Sequence, residues 1–393
     1  MLLAVVLFFV GTSLFFKVDQ IPGDLGDARF NMYVLEHGHR WLMRLDSSFW
    51  SAPFFYPAPN VITYSDNHLG SLLFYSMFRI LGASRETAFQ LWAVTLFALN
   101  YFVTWFVLKK QKIHGVAAIG TAYLFSFSLA MAAQMSHIQL APRFMVPVAF
   151  WMAIRFLDTG RAKYLHLLLA ACAYQIYLGI YTGYFLILSL IPFCLVLFLI
   201  RKQWFAVGSF IEDSERGFLF RRALGYATSG IAFVLVLLPL AIPYYQTQRL
   251  MGCRAWEEVV TMLPRWRSYL YGPDSYVWGH ICNWFGDTLP MRIEHKLFPG
   301  ILPYLSIAVF LYLCWKRKIL RGRAQVGFAM ISAMLVLMVL TSYWFGFSAY
   351  WFAWKFLPGA GGIRGVTRIM LVLLYPSVFI FGERFGPHGL MDQ

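Results

Sequence analysis

Two aspartates, two glycines, an arginine and an asparagine share the nine residues Gly23-Asp24-Leu25-Gly26-Asp27-Ala28-Arg29-Phe30-Asn31. Glycines at 23 and 26 let a backbone turn tightly enough to bring carboxylates against a ligand. One carboxylate there could take a proton from an attacking hydroxyl as a general base. Asp24 and Asp27 together could share a divalent cation, Mg or Mn, which prefers oxygen ligands. The same pattern also suits a helix N-terminus, with acids in the first turn of 28–36. Seven of the eighteen acids in the chain lie between Lys17 and Glu86. Carboxylates beside a bilayer are costly to desolvate, so this concentration points to chemistry.

Other polar groups punctuate the chain at intervals. Tyr64-Ser65-Asp66-Asn67-His68-Leu69-Gly70 follows an aromatic, proline-rich run from Pro53 to Asn60 that favours a rigid extended loop. Asp66 and His68 are candidate substrate-binding residues, and Asp66 also suits the N-cap of a helix beginning near His68. His137 stands in a polar turn, Gln134-Met135-Ser136-His137-Ile138-Gln139, and Arg143 follows one turn into an apolar span. Arg143 could snorkel to the interface, or its planar fork could hold a lipid phosphate. Tyr177, Tyr181, Thr182 and Tyr184 flank Gly179 and Gly183. These are ordinary interfacial tyrosines or rings on which a sugar could stack. Near the end, Arg364 and Arg368 stand four apart in the glycine-rich stretch 355–368. On a helix starting near Gly362 they would share a face, making an anion site of backbone N–H groups and positive charge.

The elements that must position these groups are apolar helices. Of 393 residues, 60% are hydrophobic and 13% charged, where soluble domains carry about 25% charged residues. The mean hydropathy is +0.61. An all-α polytopic bundle of about ten spans is expected, near 1–16, 87–108, 114–133, 138–157, 164–178, 183–200, 223–244, 299–315, 325–343 and 368–382. Residues 1–16 lack a basic n-region and a small-residue cleavage site, so a retained first helix is expected rather than a signal peptide. The whole chain, 1–393, reads as one membrane domain. The net charge of +15 comes from basic clusters at helix ends, as cytoplasmic loops demand, and carries no nucleic-acid motif. Those clusters include Lys109, Lys110 and Lys112, then Arg161 and Lys163, then Arg201 to Arg222, then Lys316 to Arg323. With ten spans they share one side. The other side receives the acidic loop 17–86, a second large loop 245–298, and 344–367. The apolar stretch 69–81 is expected as a re-entrant or interfacial helix. Cys253 and Cys282 share the second loop and could pair in an oxidising compartment.

Taken in order, these pieces resemble the GT-C superfamily of polytopic membrane glycosyltransferases, in particular bacterial members with an acidic first outer loop. The resemblance rests on Gly23 to Asn31, Phe55-Tyr56-Pro57 with Tyr64-Ser65-Asp66, Ser136 to Leu140, Glu294 to Gly300, and Leu357-Pro358-Gly359 with Arg364 and Arg368. Each piece is short; their order spans nearly the whole chain. The resemblance implies sugar transfer from a polyprenyl-phosphate donor to a glycan, lipid or protein acceptor, usually with inversion. It implies an extracytoplasmic site on a bacterial inner (plasma) membrane protein. It makes the first-loop acid the base or the metal ligand. Asp27 lies four before Asn31, similar to the Asp-x-x-x-Asn of relatives, and so ranks above Asp24. A transporter or flippase of lipid-linked sugar is the competing class, and would need carboxylates or broken helices deep in the spans.

The charge pattern places Ser47 and Gln111 on opposite sides of the membrane. In a background with the native cysteines replaced, a membrane-impermeant thiol reagent applied to intact cells should modify S47C and spare Q111C. The reverse pattern would overturn the orientation.

Overall fold

The computed structural model describes residues 19–21, 26–113, 115–201, 216–317 and 321–384. The expected first span, 1–16, and Asp24 lie outside the described residues. The remainder is helical, and no strand occurs among the described residues beyond an isolated Trp344–Phe347 bridge. In chain order the helices are α1 (Asp27–Leu42), α2 (Leu72–Ile80), α3 (Arg85–Lys110), α4 (Val116–Ser126), α5 (Leu129–Ala132), α6 (Met145–Thr159), α7 (Ala162–Leu178), α8 (Ile180–Ile200) and α9 (Arg216–Met251). There follow α10 (Trp256–Thr261), α11 (Gly279–Gly286), α12 (Ile301–Arg317), α13 (Arg323–Thr341), α14 (Tyr350–Phe356) and α15 (Met370–Arg384).

A helix stands at every expected span within the described residues. Five stretches are long and apolar enough to cross a membrane: Arg85–Lys110, Met135–Thr159, Ile180–Ile200, Phe220–Met251 and Arg323–Thr341. Val116–Ala132, Ile301–Lys316 and Val366–Gly382 are apolar but shorter. The bundle is organised around α15, whose residues from Met370 to Leu374 are buried on every side. A helix that is apolar all round belongs inside. It packs against α4, α12, α13 and α8.

One break in the helical pattern shapes everything near the site. The chain leaves α4 at Phe127, restarts as the single turn α5 under a Ser128 cap, and runs through a 3-10 stretch, Met135–Leu140, before α6 begins. Non-helical backbone inside an apolar bundle leaves N–H and C=O groups without partners, at a cost of several kcal/mol each in hydrocarbon. Buried side chains supply the partners. Asn100 on α3 donates to the Ala141 carbonyl at 2.8 Å and accepts from the Arg143 N–H at 2.9 Å. Gln175 on α7 donates to the Pro142 carbonyl at 2.8 Å. Arg143 is wholly buried and donates to the carbonyls of Ala141, Phe125, Ser126 and Leu371. Its guanidinium also lies 4.9 Å from the centre of the Phe125 ring. Arg143 therefore neither snorkels nor reaches a surface where a phosphate could meet it; five donors in a rigid fork are what a cluster of stranded carbonyls needs.

The first loop is fastened to the α7–α8 turn. Asp66 does not cap the helix that follows it. Its Oδ1 instead accepts from the Ile180 N–H at 2.8 Å, closing the N-terminus of α8, where Gly179 has no side chain to offer. Asn67 takes the local role, accepting from the Leu69 N–H at 2.9 Å. The Gly70 N–H donates to the Tyr177 carbonyl at 2.8 Å, and the Tyr174 hydroxyl donates to the Gly70 carbonyl at 2.9 Å. The expected re-entrant stretch is α2, nine residues long, which at 1.5 Å per residue is too short to cross a bilayer. Glu36 of α1 holds it by accepting from Tyr75 at 2.8 Å and from Arg79 at 2.9 Å. In the second loop Cys253 is exposed, Cys282 is buried, and both are free.

A Cβ on Gly70 would lie 2.7 Å from the Leu178 nitrogen and the Tyr177 carbonyl carbon, which are backbone atoms that cannot swing aside. Gly70→Ala should therefore cost about 1–3 kcal/mol, the usual range for overpacking. Gly230, on α9 with open space around its Cβ position, is the matched control. Thermal melting of the purified protein should fall for Gly70→Ala and hold or rise slightly for Gly230→Ala, since alanine is the better helix former.

Candidate functional site

Three of the sequence-predicted residues, Asp27, His137 and Arg368, converge with Glu294 at the break between α5 and α6. Asp27 is the first residue of α1, with Gly26 before it. Its carboxylate is half-exposed and meets His137, with Oδ2 2.6 Å from Nδ1. The His137 backbone is non-helical, at φ −102° and ψ 57°, inside the 3-10 stretch. On its other side Nε2 lies 3.1 Å from Glu294 Oε1. A carboxylate oxygen can only accept, so an imidazole held between two ionised carboxylates carries protons on both nitrogens. Arg368 reaches the same Glu294 oxygen at 3.5 Å. The line Asp27–His137–Glu294–Arg368 alternates in charge and joins four separate parts of the chain.

Arg364 and Arg368 do not stand on one α-helix. The backbone runs through two 3-10 turns, Ala360–Gly362 and Val366–Ile369, and α15 starts only at Met370. Both arginines still meet one residue, Tyr181. The Arg368 guanidinium carbon lies 4.7 Å from the centre of the Tyr181 ring, and the Arg364 backbone N–H donates to the Tyr181 hydroxyl at 3.4 Å. One face of that ring is thus covered by a cation rather than open to a sugar. Arg364 also pairs with Glu258 at 2.8 Å. In Arg368 the buried Nε has no hydrogen-bond partner, and neither has Glu294 Oε2. A Cβ on Gly365 would stand 2.9 Å from that Nε, so glycine there lets the guanidinium pack close against the backbone.

Behind this surface a buried relay fixes α1 against the 3-10 stretch. His68 Nε2 lies 2.7 Å from Asn31 Oδ1, and Asn31 Nδ2 donates to Gln139 Oε1 at 2.8 Å and to the Asp27 carbonyl at 2.8 Å. His68 is therefore a donor to Asn31 and a neutral ring, because burial pushes its pKa down to about 3. His68 and Asp66 support the site from within and do not open onto it. Burial pushes the Asp66 carboxyl up to about 6, against the opposing pull of the Ile180 N–H.

The electrostatics of the front surface run the other way. The hydrogen bond from His137 lowers the Asp27 carboxyl, against burial, and the charges of Arg368 and Arg364 add to it. Burial pushes Glu294 up, but the His137 hydrogen bond and the Arg368 charge prevail and hold it at about 2. Arg364 is raised by its bond to Glu258. Asp27 is ionised and close to two guanidiniums. Such a surface can accept a proton on the carboxylate and hold an anionic oxygen at the cations. A Mg or Mn ion needs several oxygen ligands. Among the described residues no group of three or more His, Cys, Asp or Glu side chains is placed to hold a metal. Asp24, the second expected ligand, lies outside the described residues.

Glu258 and Glu294 were not singled out as site residues from the sequence. Both lie in the second large loop, which carries five of the eighteen acids, and a search for outer carboxylates able to pair with Arg364 and Arg368 would have reached them. Fold and site together define an all-helical protein with helices of membrane-crossing length. No family profile, curated protein or solved structure matches the chain.

Glu294 and Asp27 both have carboxyl pKa values below their unfolded ones. Their pairing stabilises the fold above the unfolded pKa, about 4.5 for Glu294, and that contribution is lost as pH falls towards about 2. At neutral pH Glu294→Gln should cost about 2 kcal/mol, since it removes charged hydrogen bonds from a buried site. The gap in melting temperature between wild type and Glu294→Gln should narrow as pH drops through that window. A gap that stayed constant would show that Glu294 contributes through shape alone.

Proposed function

We propose that the chain is a membrane glycosyltransferase that moves a sugar from a polyprenyl-phosphate-linked donor to a glycan, lipid or protein acceptor, with inversion. The observation that carries this reading is the ionised Asp27 carboxylate beside His137, within the field of the Arg368 and Arg364 charges. An inverting transfer needs a base on one side of the anomeric carbon and fixed positive charge on the other. The resemblance of the ordered motifs to the GT-C superfamily supports the same class. The basic clusters support an extracytoplasmic position for this surface, and a bacterial plasma membrane setting follows from the resemblance.

In this mechanism the acceptor hydroxyl attacks the anomeric carbon as Asp27 takes its proton. The bond from that carbon to the phosphate oxygen breaks, and its electron pair leaves on the lipid phosphate. Arg368, whose Nε has no hydrogen-bond partner, and Arg364 meet the developing charge, where preorganised donors act without reorganising. His137 holds the Asp27 carboxylate in place, and Glu294 holds His137. No step is routed through a metal. The flippase reading predicts charged or broken helices deep in the spans; the break between α4 and α6 is a feature of that kind, and what weighs against the reading is that the break is filled from within the bundle. The buried cation in Met135–Thr159 is Arg143, and its donors are engaged by backbone carbonyls.

Asp27→Asn keeps the size of the side chain and removes the base. Transfer from a polyprenyl-phosphate sugar in a reconstituted assay should fall about 100- to 10,000-fold. Arg364→Lys and Arg368→Lys keep charge but lose the planar fork, and should reduce turnover with donor more than binding of acceptor. Near-normal transfer by Asp27→Asn, with folding intact, would remove the proposed base. Unchanged donor affinity and turnover in Arg364→Ala and Arg368→Ala would place the phosphate elsewhere.

A further inference from the structure

A groove of about 770 Å³ runs along the outside of the bundle between α6 and α7, away from the surface just described. At one end it is lined by Lys110, Arg155 and Tyr164, and at the other by Met145, Ala170 and Tyr174. From Arg155 to Met145 along α6 is ten residues, about 15 Å at 1.5 Å per residue. The hydrocarbon core of a bilayer is about 30 Å thick, so this is the depth of one leaflet. Both cations lie at the ends of helices, beside the basic clusters that mark one side of the membrane.

Neither cation has an acid to neutralise it among the described residues. Lys110 lies 5.2 Å from the Phe106 ring. Arg155 donates to the Tyr164 hydroxyl at 2.9 Å and packs 5.0 Å from the centre of its ring. The nearest acid in the sequence, Asp158, is taken by Arg201. Lys163 also lies over the Tyr164 ring, 5.0 Å away, and adds a third positive charge to that end. An apolar slot one leaflet deep, with unneutralised cations at its mouth, matches one kind of molecule: a lipid with an anionic phosphate head and an acyl chain.

We propose that this groove is a binding site for an anionic diacyl phospholipid of the leaflet on the basic side. Its phosphate lies between Lys110 and Arg155, and one acyl chain runs along the groove towards Tyr174. The site does not depend on the proposed transfer activity, because Asp27 and His137 meet the other end of Met135–Thr159. Arg gives the phosphate a forked pair of donors and Lys a point charge. Each basic residue near a membrane surface contributes about fivefold in affinity for anionic lipid.

The test is native mass spectrometry of the full chain in detergent, titrated with dioleoyl phosphatidylglycerol and, separately, dioleoyl phosphatidylcholine. The expected result is tighter retention of phosphatidylglycerol, weakened about fivefold by Lys110→Ala and again by Arg155→Ala. Arg155→Lys should keep most of the preference, which separates charge from folding. Ala170 is exposed on the groove wall, so Ala170→Trp should fill the slot without disturbing the core and reduce retention of both lipids. Equal retention of the two lipids by the wild type would overturn the proposal, as would a preference that survives loss of both cations. A headgroup preference untouched by Ala170→Trp would also overturn it, because the chain would then lie outside the groove.

Discussion

A peptide group stranded in an apolar bundle has to find a partner, and that requirement governs this structure. The chain interrupts its helices between Phe127 and Phe144, which frees carbonyls and N–H groups where no water can serve them. Arg143, Asn100 and Gln175 answer that need from inside the bundle. Because α4, α6, α7 and α15 are all tied to this one knot of polar contacts, the break is rigid. His137 and Gln139 project from it in fixed directions, towards Asp27 and Asn31. A continuous helix would have been cheaper to build and would have carried His137 on a regular helical face.

The polar groups fall into two layers with different physics. The inner layer, His68, Asn31, Gln139 and Asp66, is buried. Burial there pushes His68 and Asp66 towards their neutral forms, so the layer works through directed hydrogen bonds. The outer layer, Asp27, His137, Glu294 and Arg368, is made of charges that hold one another ionised. Removing one member of the outer layer leaves its neighbour desolvated and unpaired, a larger loss than the contact itself.

Much of the frame was legible in the sequence. Long apolar runs gave the positions of the helices, because a run of that length has few other ways to satisfy its backbone. The number that cross a membrane was less legible, since Val116–Ala132, Ile301–Lys316 and Val366–Gly382 fall short of a full span. The pairing of Asp27 with His137 links positions 110 residues apart; the sequence named both members and could not join them. Asp66 and Arg143 were assigned to local or surface roles. Their actual partners are backbone groups of distant turns, and which backbone groups lack a partner is decided only once the helices pack. Arg364 and Arg368 were expected on one helical face. The glycines at 359, 361, 362 and 365 instead favour tight turns over a continuous helix.

The fastening of Asp66 and Gly70 to the start of α8 also sets which parts of the molecule travel together. The first loop and the α7–α8 turn are joined by the Gly70–Tyr177 backbone hydrogen bond and by Asp66 on the Ile180 N–H, and the buried His68–Asn31 bond ties in α1, so a displacement of one carries the others. Across from them, the Glu258 segment is tied to the Arg364 and Arg368 turns by backbone, the Arg254 N–H donating to the Gly361 carbonyl at 2.9 Å and the Thr367 N–H to the Met262 carbonyl at 3.0 Å, whereas Glu294 meets His137 and Arg368 through side-chain ion pairs. Ionic contacts lengthen and reform over a range of separations, whereas interlocked backbone does not. The side-chain contacts at Glu294 can therefore lengthen while both backbone-tied units keep their shape.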